Sequence, residues 1–170
     1  MKIDIKNIEK DFIIEKDLDD YLELVLLVKS TMEHPEWLGE FSKEDYIRIL
    51  NNGGYIRVFM YNNELIAAGV LIPSTQKELD KFLSSELIYS EVIDYGPQMV
   101  HPEYVGNGIQ TMIIKDLDFI SREKGYKYAL ATVHPDNIFS INNLLKNHFI
   151  KIGDVQLKRG PRNIYRKMIK

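Results

Sequence analysis

The feature that most constrains the fold is a short loop with two glycines, Gly106 and Gly108, between segments of different periodicity. Residues 91–100 before it are rich in β-forming side chains and predict a strand. Residues 109–124 after it carry apolar side chains at helical spacing and predict a helix that ends before Gly125. Glycine lets a ligand approach the backbone closely, and the first N–H groups of a helix lack intrahelical partners. The loop is therefore a candidate phosphate site, although a tight turn without a ligand would show the same pattern.

Two familiar phosphate-binding loops do not fit this segment. A dinucleotide-binding fingerprint requires a third glycine at position 111, and the chain has Thr111 there. A Walker loop ends in Gly-Lys followed by serine or threonine, whereas this loop continues as Gly108-Ile109-Gln110. Both of these nucleotide-binding classes are therefore excluded.

The rest of the chain predicts an α/β fold with one domain, because no repeat, low-complexity tract or linker divides it. Tyr55–Tyr61 and Leu65–Ile72 are β-rich runs joined at Asn62-Asn63, which is typical of an antiparallel hairpin. Ser42 followed by Asp45 resembles a capping box at a helix start. The predicted strands are 3–8, 55–61, 65–72, 91–100, 128–133, 149–155 and 164–169, and the predicted helices begin after Asp17 or Asp19, after Ser42, near Ile109 and after Asp136 or Asn137.

Two of these strands have distinctive sequences. Gly96-Pro97 lies inside the fourth strand and must bulge it or leave it partly unpaired. Residues 128–133 form a continuous apolar run, which is typical of a strand buried in a parallel arrangement.

Composition places the chain among globular proteins, with 45% hydrophobic and 28% charged residues. The formal net charge of −3, with both signs spread along the chain, argues against a nucleic-acid partner. One basic cluster near the C-terminus is interpreted as the solvated face of a hairpin. Its members are Lys158, Arg159, Arg162, Arg166, Lys167 and Lys170.

The chain contains no cysteine, which excludes disulfides, thiolate metal sites and a catalytic cysteine. The first residues alternate charged and apolar side chains and contain no apolar signal core. The most apolar run, Leu22–Val28, is too short to span a bilayer and is interrupted by Glu23. We therefore expect a soluble, cytoplasmic protein with no membrane partner.

The two-glycine loop resembles the signature of the GNAT superfamily of N-acetyltransferases, V-x-P-x-x-(Q/R)-x-x-G-x-(G/A). The chain matches this signature at Val100, Pro102 and Gly108. It departs at Val105, where the family prefers Gln or Arg, and at Gln110, where the family prefers Gly or Ala. The second departure is similar to a bacterial branch of the family that reads G-N-G-L-Q. Neither departure removes a backbone N–H group, and these groups bind the pyrophosphate in the family.

A second segment resembles the family pattern N-x-x-S/A followed by G-F. Asn137, Ser140 and His148-Phe149 provide this match, with His148 at the glycine position. The two motifs occur in the expected β-α-β-α-β order, and the resemblance covers nearly the whole chain. It implies a single GNAT domain over residues 1–170. The implied fold is a mixed sheet of about seven strands flanked by about four helices, splayed between the fourth and fifth strands.

The resemblance also implies acetyl-CoA as co-substrate and no metal. The pantetheine arm would pair with the backbone of the fourth strand, the loop N–H groups would bind the pyrophosphate, and the start of the last helix would line the other wall. The implied cofactor-binding residues are Met99, Val100, Val105, Gly106, Asn107, Gly108, Ile109, Gln110, Thr111, Asn137 and Ser140.

The implied chemistry is direct attack of an amine on the thioester in a ternary complex. An alkylammonium group with a pKa of about 10.4 must lose a proton before it attacks. Asp94, six residues before Val100, is the candidate general base, because the histone-acetyltransferase branch places a carboxylate there. Glu91 is the reserve candidate. Either residue could instead be a solvated carboxylate at a strand end.

Many family members protonate the departing thiolate with a tyrosine on the last helix, and the corresponding residue here is Leu144. Tyr95 or His134 could serve as the donor instead, or CoA could leave as a thiolate without specific help. A structural, hydrogen-bonded role is the alternative for His134. His148, at a helix end, is expected to act as a local cap.

The acceptor pocket is expected in the segments that are least similar to the family. These are residues 34–37 and residues 74–89, the latter long enough to form a lid or a pocket wall. Acidic and aromatic side chains there favour a cationic amine, although acidic loop residues are commonly just solvated. The candidate substrate-binding residues are Glu33, Trp37, Glu86 and Tyr89.

Three matters stay open at this level. The fold could bind an acyl-CoA as a sensor without turnover, and the absence of the tyrosine supports that alternative. The donor could carry a longer acyl chain, or the acceptor could be a hydroxyl, because the motif reports only the CoA moiety. Homodimers are common in the family, and the aromatic hairpin of residues 55–72 could provide the interface.

Overall fold

The computed structural model describes all residues, 1–170. The strands are β1 Glu9–Phe12, β2 Tyr55–Tyr61, β3 Glu64–Pro73, β4 Val92–Val100, β5 Tyr128–Val133, β6 Ile150–Leu157 and β7 Gly160–Met168. The helices are α1 Leu18–Thr31, α2 Lys43–Asn51, α3 Gln76–Lys81, α4 Ile109–Glu123 and α5 Ile138–Lys146. The strands form one sheet in the order β1-β2-β3-β4-β5-β7-β6, with β4 and β5 parallel.

The chain divides into two compact units, each made of two segments. The first unit comprises Met1–Leu71 and Gly96–Ile113, and the second comprises Ile72–Tyr95 and Ile114–Lys170. The two-glycine loop therefore belongs to the first unit. The candidate base Asp94 belongs to the second.

In the first unit, apolar periodicity and capping explain the helices. α1 begins directly after Asp17, as predicted, and α2 begins with the predicted capping box between Ser42 and Asp45. The hydroxyl of Tyr21 donates a hydrogen bond of 3.1 Å to Tyr46 and joins the two helices. At the hairpin, Asn62-Asn63 adopts positive φ at both positions, as a two-residue turn requires. These predictions are confirmed.

The predicted first strand over residues 3–8 is wrong. The side chain of Asp4 accepts a hydrogen bond from the Lys6 N–H group, and a short helical turn follows over Ile5–Asn7. The strand begins only at Glu9 and pairs with β2. A short polar side chain that caps a turn competes with extended structure, and here it outweighs the alternation of isoleucines.

In the second unit, the long connection between β3 and β4 is packed. It contains α3, which the predicted order of elements lacked, and a capping box between Thr75 and Glu78 begins this helix. Its side chain Leu79 is buried in a cluster with Val92 and Leu130, and further apolar residues of the connection pack against that cluster. The connection is therefore a fixed wall of this unit.

The basic cluster near the C-terminus is only partly solvated, which corrects the interpretation from the sequence. Arg162 and Lys167 on β7 are buried, with exposed fractions of 1% and 7%. The Lys167 ammonium bonds to Asp118 at 2.6 Å and to the carbonyl of Asn147 at 3.0 Å. These partners compensate for the loss of water around the charge.

The pairing of β4 with β5 is short. It covers three residue pairs and ends at Asp94 and Leu130. β4 continues to Val100, and β5 remains paired with β7 as far as Val133. The predicted splay between the fourth and fifth strands is therefore present.

Candidate active site

The backbone of β4 is irregular near its middle, so the alternation of its hydrogen-bonding groups between the two edges of the strand shifts by one residue. The Val92 carbonyl accepts from the Ser74 N–H group, and the His101 N–H group donates to the Ile66 carbonyl at 2.7 Å, so both face β3. The two residues are an odd number of positions apart, and a regular strand would direct them to opposite edges. Gly96-Pro97 lies between them, as expected for a bulge.

This shift in the alternation determines which backbone groups at the end of β4 are directed away from β3. The Met99 and Val100 side chains are buried, so any contact with a ligand would use the backbone. Because the N–H group of His101 points to β3, alternation directs the N–H and C=O groups of Val100 to the other edge. Alternation directs the backbone of Met99 to β3.

The two glycines of the loop are needed for its backbone conformation, and not because a side chain there would collide with neighbouring atoms. Gly106 has φ of +90° and Gly108 has φ of +75°, a region that other residues rarely adopt. A Cβ atom on either glycine would have no atom within 4 Å. The outer surface of the loop is therefore open.

The N–H groups of the loop are not used by the main chain. From Val105 to Gln110, no N–H group donates to a main-chain carbonyl, and the N–H group of Met112 donates to the Gly108 carbonyl at 3.2 Å. These N–H groups carry a partial positive charge, to which the dipole of α4 adds. An open loop with such groups is suited to a phosphate or diphosphate.

The carboxylate of Asp94 is partly buried and lies among polar groups of the connection. The Ser74 hydroxyl donates a hydrogen bond of 3.0 Å to its Oδ1 atom. Burial and the neighbouring Glu78 carboxylate raise the pKa of Asp94 well above its usual range, and the Ser74 bond acts in the opposite direction. A carboxylate with a raised pKa is a stronger base, as general base catalysis requires.

Ser74 and Glu78 were not among the residues predicted from the sequence. Their positions come from the turn that follows β3, where the N–H group of Thr75 donates to the Glu78 carboxylate at 3.4 Å. The Thr75-x-x-Glu78 spacing could have predicted the helix start. It could not have predicted that the helix start lies beside Asp94.

The other three candidate catalytic residues have partners within the protein. Glu91 accepts a hydrogen bond of 2.5 Å from the Lys127 ammonium. Tyr95 is buried, and its hydroxyl donates to Asp118 at 2.5 Å. Burial and the Asp118 carboxylate raise the pKa of Tyr95 far above its usual range. The Nδ1 atom of His134 accepts from the Asp136 N–H group at 3.1 Å and closes the turn after β5.

The last helix begins and ends as its sequence predicts. Asn137 is the N-cap of α5, and its side chain accepts from the Ser140 N–H group at 3.3 Å. Leu144, at the position where the family has tyrosine, is buried. His148 has φ of +70° just after the helix, the conformation that favours glycine at such ends.

The candidate acceptor residues are divided between the two units. Glu33 is exposed and Trp37 stacks on His34 with ring centroids 4.4 Å apart, and both candidates lie in the first unit. Glu86 and the exposed Tyr89 lie in the second. Arg166 pairs with Glu86 at 2.5 Å, and hydrogen bonding lowers the pKa of Glu86. The charge of Glu86 is therefore already compensated.

No group of three or more His, Asp or Glu side chains is arranged to hold a metal ion. None of the helices is both long enough and apolar enough to cross a membrane.

Comparisons by sequence find no matching family model and no matching curated protein. Solved structures are similar over nearly the full length. An N-acetyltransferase from Staphylococcus aureus Mu50 superposes with a TM-score of 0.74 at 16% identity, covering 96% of this chain and 99% of that one. An acetyltransferase of the GNAT family from Streptococcus pneumoniae gives 0.74 at 12% identity, with coverage of 96% and 99%.

The chain has the GNAT fold. A third structure with this fold, yncA from Salmonella typhimurium, was solved with its cofactor acetyl-CoA and gives a TM-score of 0.73 at 14% identity, covering 96% and 95%. The predicted mixed sheet of about seven strands is confirmed, with five helices in place of about four. The GNAT fold gives the two-glycine loop its position between β4 and α4.

Proposed function

We propose that the protein is an acetyl-CoA-dependent N-acetyltransferase, a single GNAT domain over residues 1–170. It transfers an acetyl group to an amine by direct attack in a ternary complex. The observation that carries this proposal is the open loop from Val105 to Gln110, whose N–H groups have no main-chain acceptors and which precedes α4 in a GNAT fold.

The CoA diphosphate binds at the N–H groups of residues 105–111. The pantetheine arm pairs with β4 at Val100, whose backbone faces away from β3, and Met99 contributes to the wall beneath it. Asn137 and Ser140 at the start of α5 contribute a second set of contacts. The bound acetyl-CoA of the Salmonella typhimurium structure supports this choice of cofactor by fold similarity.

Asp94 acts as the general base. The acceptor arrives as an ammonium, and Asp94 takes one proton from it, a step worth about 10²–10⁴-fold in rate. The lone pair of the neutral amine then forms the N–C bond as the C–S bond to CoA breaks, and the second proton of the nitrogen passes to solvent. Orienting the two reactants contributes more, about 7–11 kcal/mol where geometry is good. The Ser74 bond orients the Asp94 carboxylate for this role.

The leaving thiolate departs without a tyrosine donor on α5. Leu144 at that position is buried and carries no proton. The Tyr95 proton is directed to Asp118. A thiol with a pKa of about 8.5 is an adequate leaving group, and solvent can protonate the thiolate afterwards.

The acceptor is a cationic amine. In the second unit, Asp94 supplies negative charge and Tyr89 offers an aromatic face for cation–π contact, and Glu33 and Trp37 are the corresponding candidates of the first unit. Glu86 contributes less than its charge suggests, because Arg166 neutralises it. An acceptor screen in which only neutral or anionic compounds react would reject this part of the proposal.

One other function has a specific observation in its favour. The buried Leu144, in place of a proton donor, is also what a non-catalytic acyl-CoA sensor would tolerate. Release of CoA thiol from acetyl-CoA, followed over primary amines, amino acids and peptides, distinguishes the two. Amine-dependent thiol release supports the transferase, and CoA binding with no release for any acceptor supports the sensor. Longer acyl-CoA donors and hydroxyl acceptors belong in the same screen.

A further inference from the structure

The side chain of Asn107 faces the protein and fixes the loop. Its Nδ2 atom donates to the Met1 carbonyl at 2.7 Å and to the Tyr104 carbonyl at 2.8 Å. Its Oδ1 atom accepts from the Ile3 N–H group at 3.1 Å. The bond to Tyr104 closes a ring around Val105 and Gly106, so one amide group sets the curvature of the loop. All polar atoms of the side chain are used, which leaves its N–H group for a ligand.

Tyr104 fixes the same loop from the other end. Its hydroxyl donates to Oε2 of Glu64 at 2.6 Å, and its buried ring contacts Tyr61 and His101 edge-on. Glu64 is the first residue of β3, directly after the hairpin turn. The hydrogen bond to Glu64 raises the pKa of Tyr104 to about 12, so the hydroxyl keeps its proton at neutral pH.

We propose that Asn107 and Tyr104 are positioning residues that hold the loop in the conformation that binds the CoA diphosphate. This inference rests on the proposed function. Met1–Ile3 and Glu64 are the fixed points of this loop clamp, and neither belongs to the loop itself. A loop with two glycines has many conformations when unrestrained, and ordering it on binding would reduce affinity. Because the clamp orders the loop in the free protein, binding of the ligand does not have to order it.

The position of the clamp distinguishes its role from that of ordinary packing contacts. Its hydrogen bonds flank Val105 and Gly106, and the loop surface opposite them is open. A loss of the clamp therefore affects the diphosphate and leaves the acetyl and pantetheine contacts intact. The expected signature is a change in affinity for CoA and in the KM of acetyl-CoA, with little change in kcat.

The test compares Asn107→Ala and Tyr104→Phe with a matched control, Tyr21→Phe. The control removes a buried tyrosine hydroxyl that bonds to Tyr46 at 3.1 Å in the same unit, away from the loop. We expect Asn107→Ala to raise the Kd of CoA about tenfold, as lost preorganisation would. Tyr104→Phe should raise it about threefold. Tyr21→Phe should leave it unchanged at a similar loss of thermal stability.

Two donors separate a clamp from a general loss of structure. S-acetylpantetheine lacks the diphosphate, so its kcat/KM should be equal for the wild type and Asn107→Ala, while kcat/KM for acetyl-CoA falls. A Kd for CoA unchanged by Asn107→Ala would overturn the inference, and so would an equal loss with both donors. If the wild type itself fails to bind CoA, the proposed function fails first, which is a different result.

A second pair of variants covers the case in which Asn107→Ala does not fold. The Glu64 side chain is 47% exposed, so changes there are well tolerated. Glu64→Gln keeps an oxygen that accepts the Tyr104 hydroxyl, and Glu64→Ala removes it. Glu64→Ala should weaken CoA binding, and Glu64→Gln should retain it. Equal affinities for these two variants would contradict the clamp.

Discussion

The hydroxyl of Ser74 donates a hydrogen bond of 3.0 Å to the carboxylate of Asp94, although the two residues are 20 positions apart. Ser74 follows β3 and leads into α3, which carries Glu78 to the same carboxylate. The connection between β3 and β4 thus contributes two side chains, those of Ser74 and Glu78, to the surroundings of Asp94. Burial and the Glu78 carboxylate raise the pKa of Asp94, and the role of the Asp94 carboxylate can be tested in three ways.

Asp94→Asn is expected to lower kcat/KM by about 10²–10⁴-fold, because the amide cannot accept the proton of the acceptor. Thiol release with saturating acetyl-CoA measures this effect. Glu91→Gln provides the control, since Glu91 is paired with Lys127 and should matter little. Equal rates for Asp94→Asn and the wild type across the pH range would eliminate Asp94 as the base.

Asp94→Asn is also expected to make the fold more stable at neutral and alkaline pH. Burial and Glu78 raise the pKa of Asp94 in the folded state, so between the unfolded and folded pKa values the folded protein binds more protons. Stability therefore falls as pH rises through that window, and Asn removes the fall. Thermal unfolding at pH 4, 6 and 8 should show a gain for the variant that grows with pH. A gain that shrinks with pH would contradict the direction of the shift.

Glu78→Gln is expected to move the acid limb of the kcat/KM profile to lower pH. The Glu78 carboxylate is one cause of the raised pKa of Asp94, and the neutral amide removes its repulsion. Full pH profiles of the variant and the wild type measure the displacement. Asp80→Asn is the control, as it neutralises a carboxylate on the same helix that bonds to Gln76. An unchanged acid limb would show that Glu78 does not influence the pKa of the catalytic base.

Gly108→Ala is expected to weaken CoA binding while costing only about 1–3 kcal/mol of stability, the cost of a positive φ for a non-glycine residue. Gly125→Ala is a close control, because Gly125 has φ of +88° and also has nothing within 4 Å of an added Cβ. The two variants should lose similar stability. Only Gly108→Ala should lose affinity for CoA, and equal affinities would show that the loop conformation does not serve the ligand.

Lys167→Met is expected to reduce the free energy of unfolding by about 2–4 kcal/mol, because it leaves the Asp118 carboxylate without its cation. The value is below that of a fully buried pair, since the side chain of Asp118 is 25% exposed. Lys127→Met is the control, as it breaks an exposed ion pair with Glu91 and should change little. Chemical denaturation measures both, and equal losses would contradict a structural role for the buried ammonium.

Much of the fold could be predicted from local signals. β5 has the predicted bounds, Tyr128–Val133, because its largely apolar run is flanked by the polar residues Lys127 and His134, and its three central residues are buried. The hairpin at Asn62-Asn63 and the cap at Asn137 followed from side chains whose conformational preferences act within a few residues.

Features that depend on distant contacts were not predictable. All four residues of β1 are exposed, so the strand carries no apolar alternation and exists through its pairing with β2. Charged residues such as Lys167 usually lie at the surface, but Lys167 is buried and bonds to Asp118. Asp118 lies 49 positions away in the sequence, so local patterns could not predict this pair. The same applies to Ser74 and Glu78, whose importance comes only from their proximity to Asp94.

The central claim is that the loop before α4 binds the diphosphate of coenzyme A. Calorimetric titration of the purified protein with CoA tests it most directly, with Gly108→Ala and Gly125→Ala titrated alongside. The account predicts saturable binding of one CoA per chain, weakened by Gly108→Ala and retained by Gly125→Ala. Absence of binding by the wild-type protein at about 10 mM CoA, above the usual KM range of about 1 μM–1 mM, would contradict it.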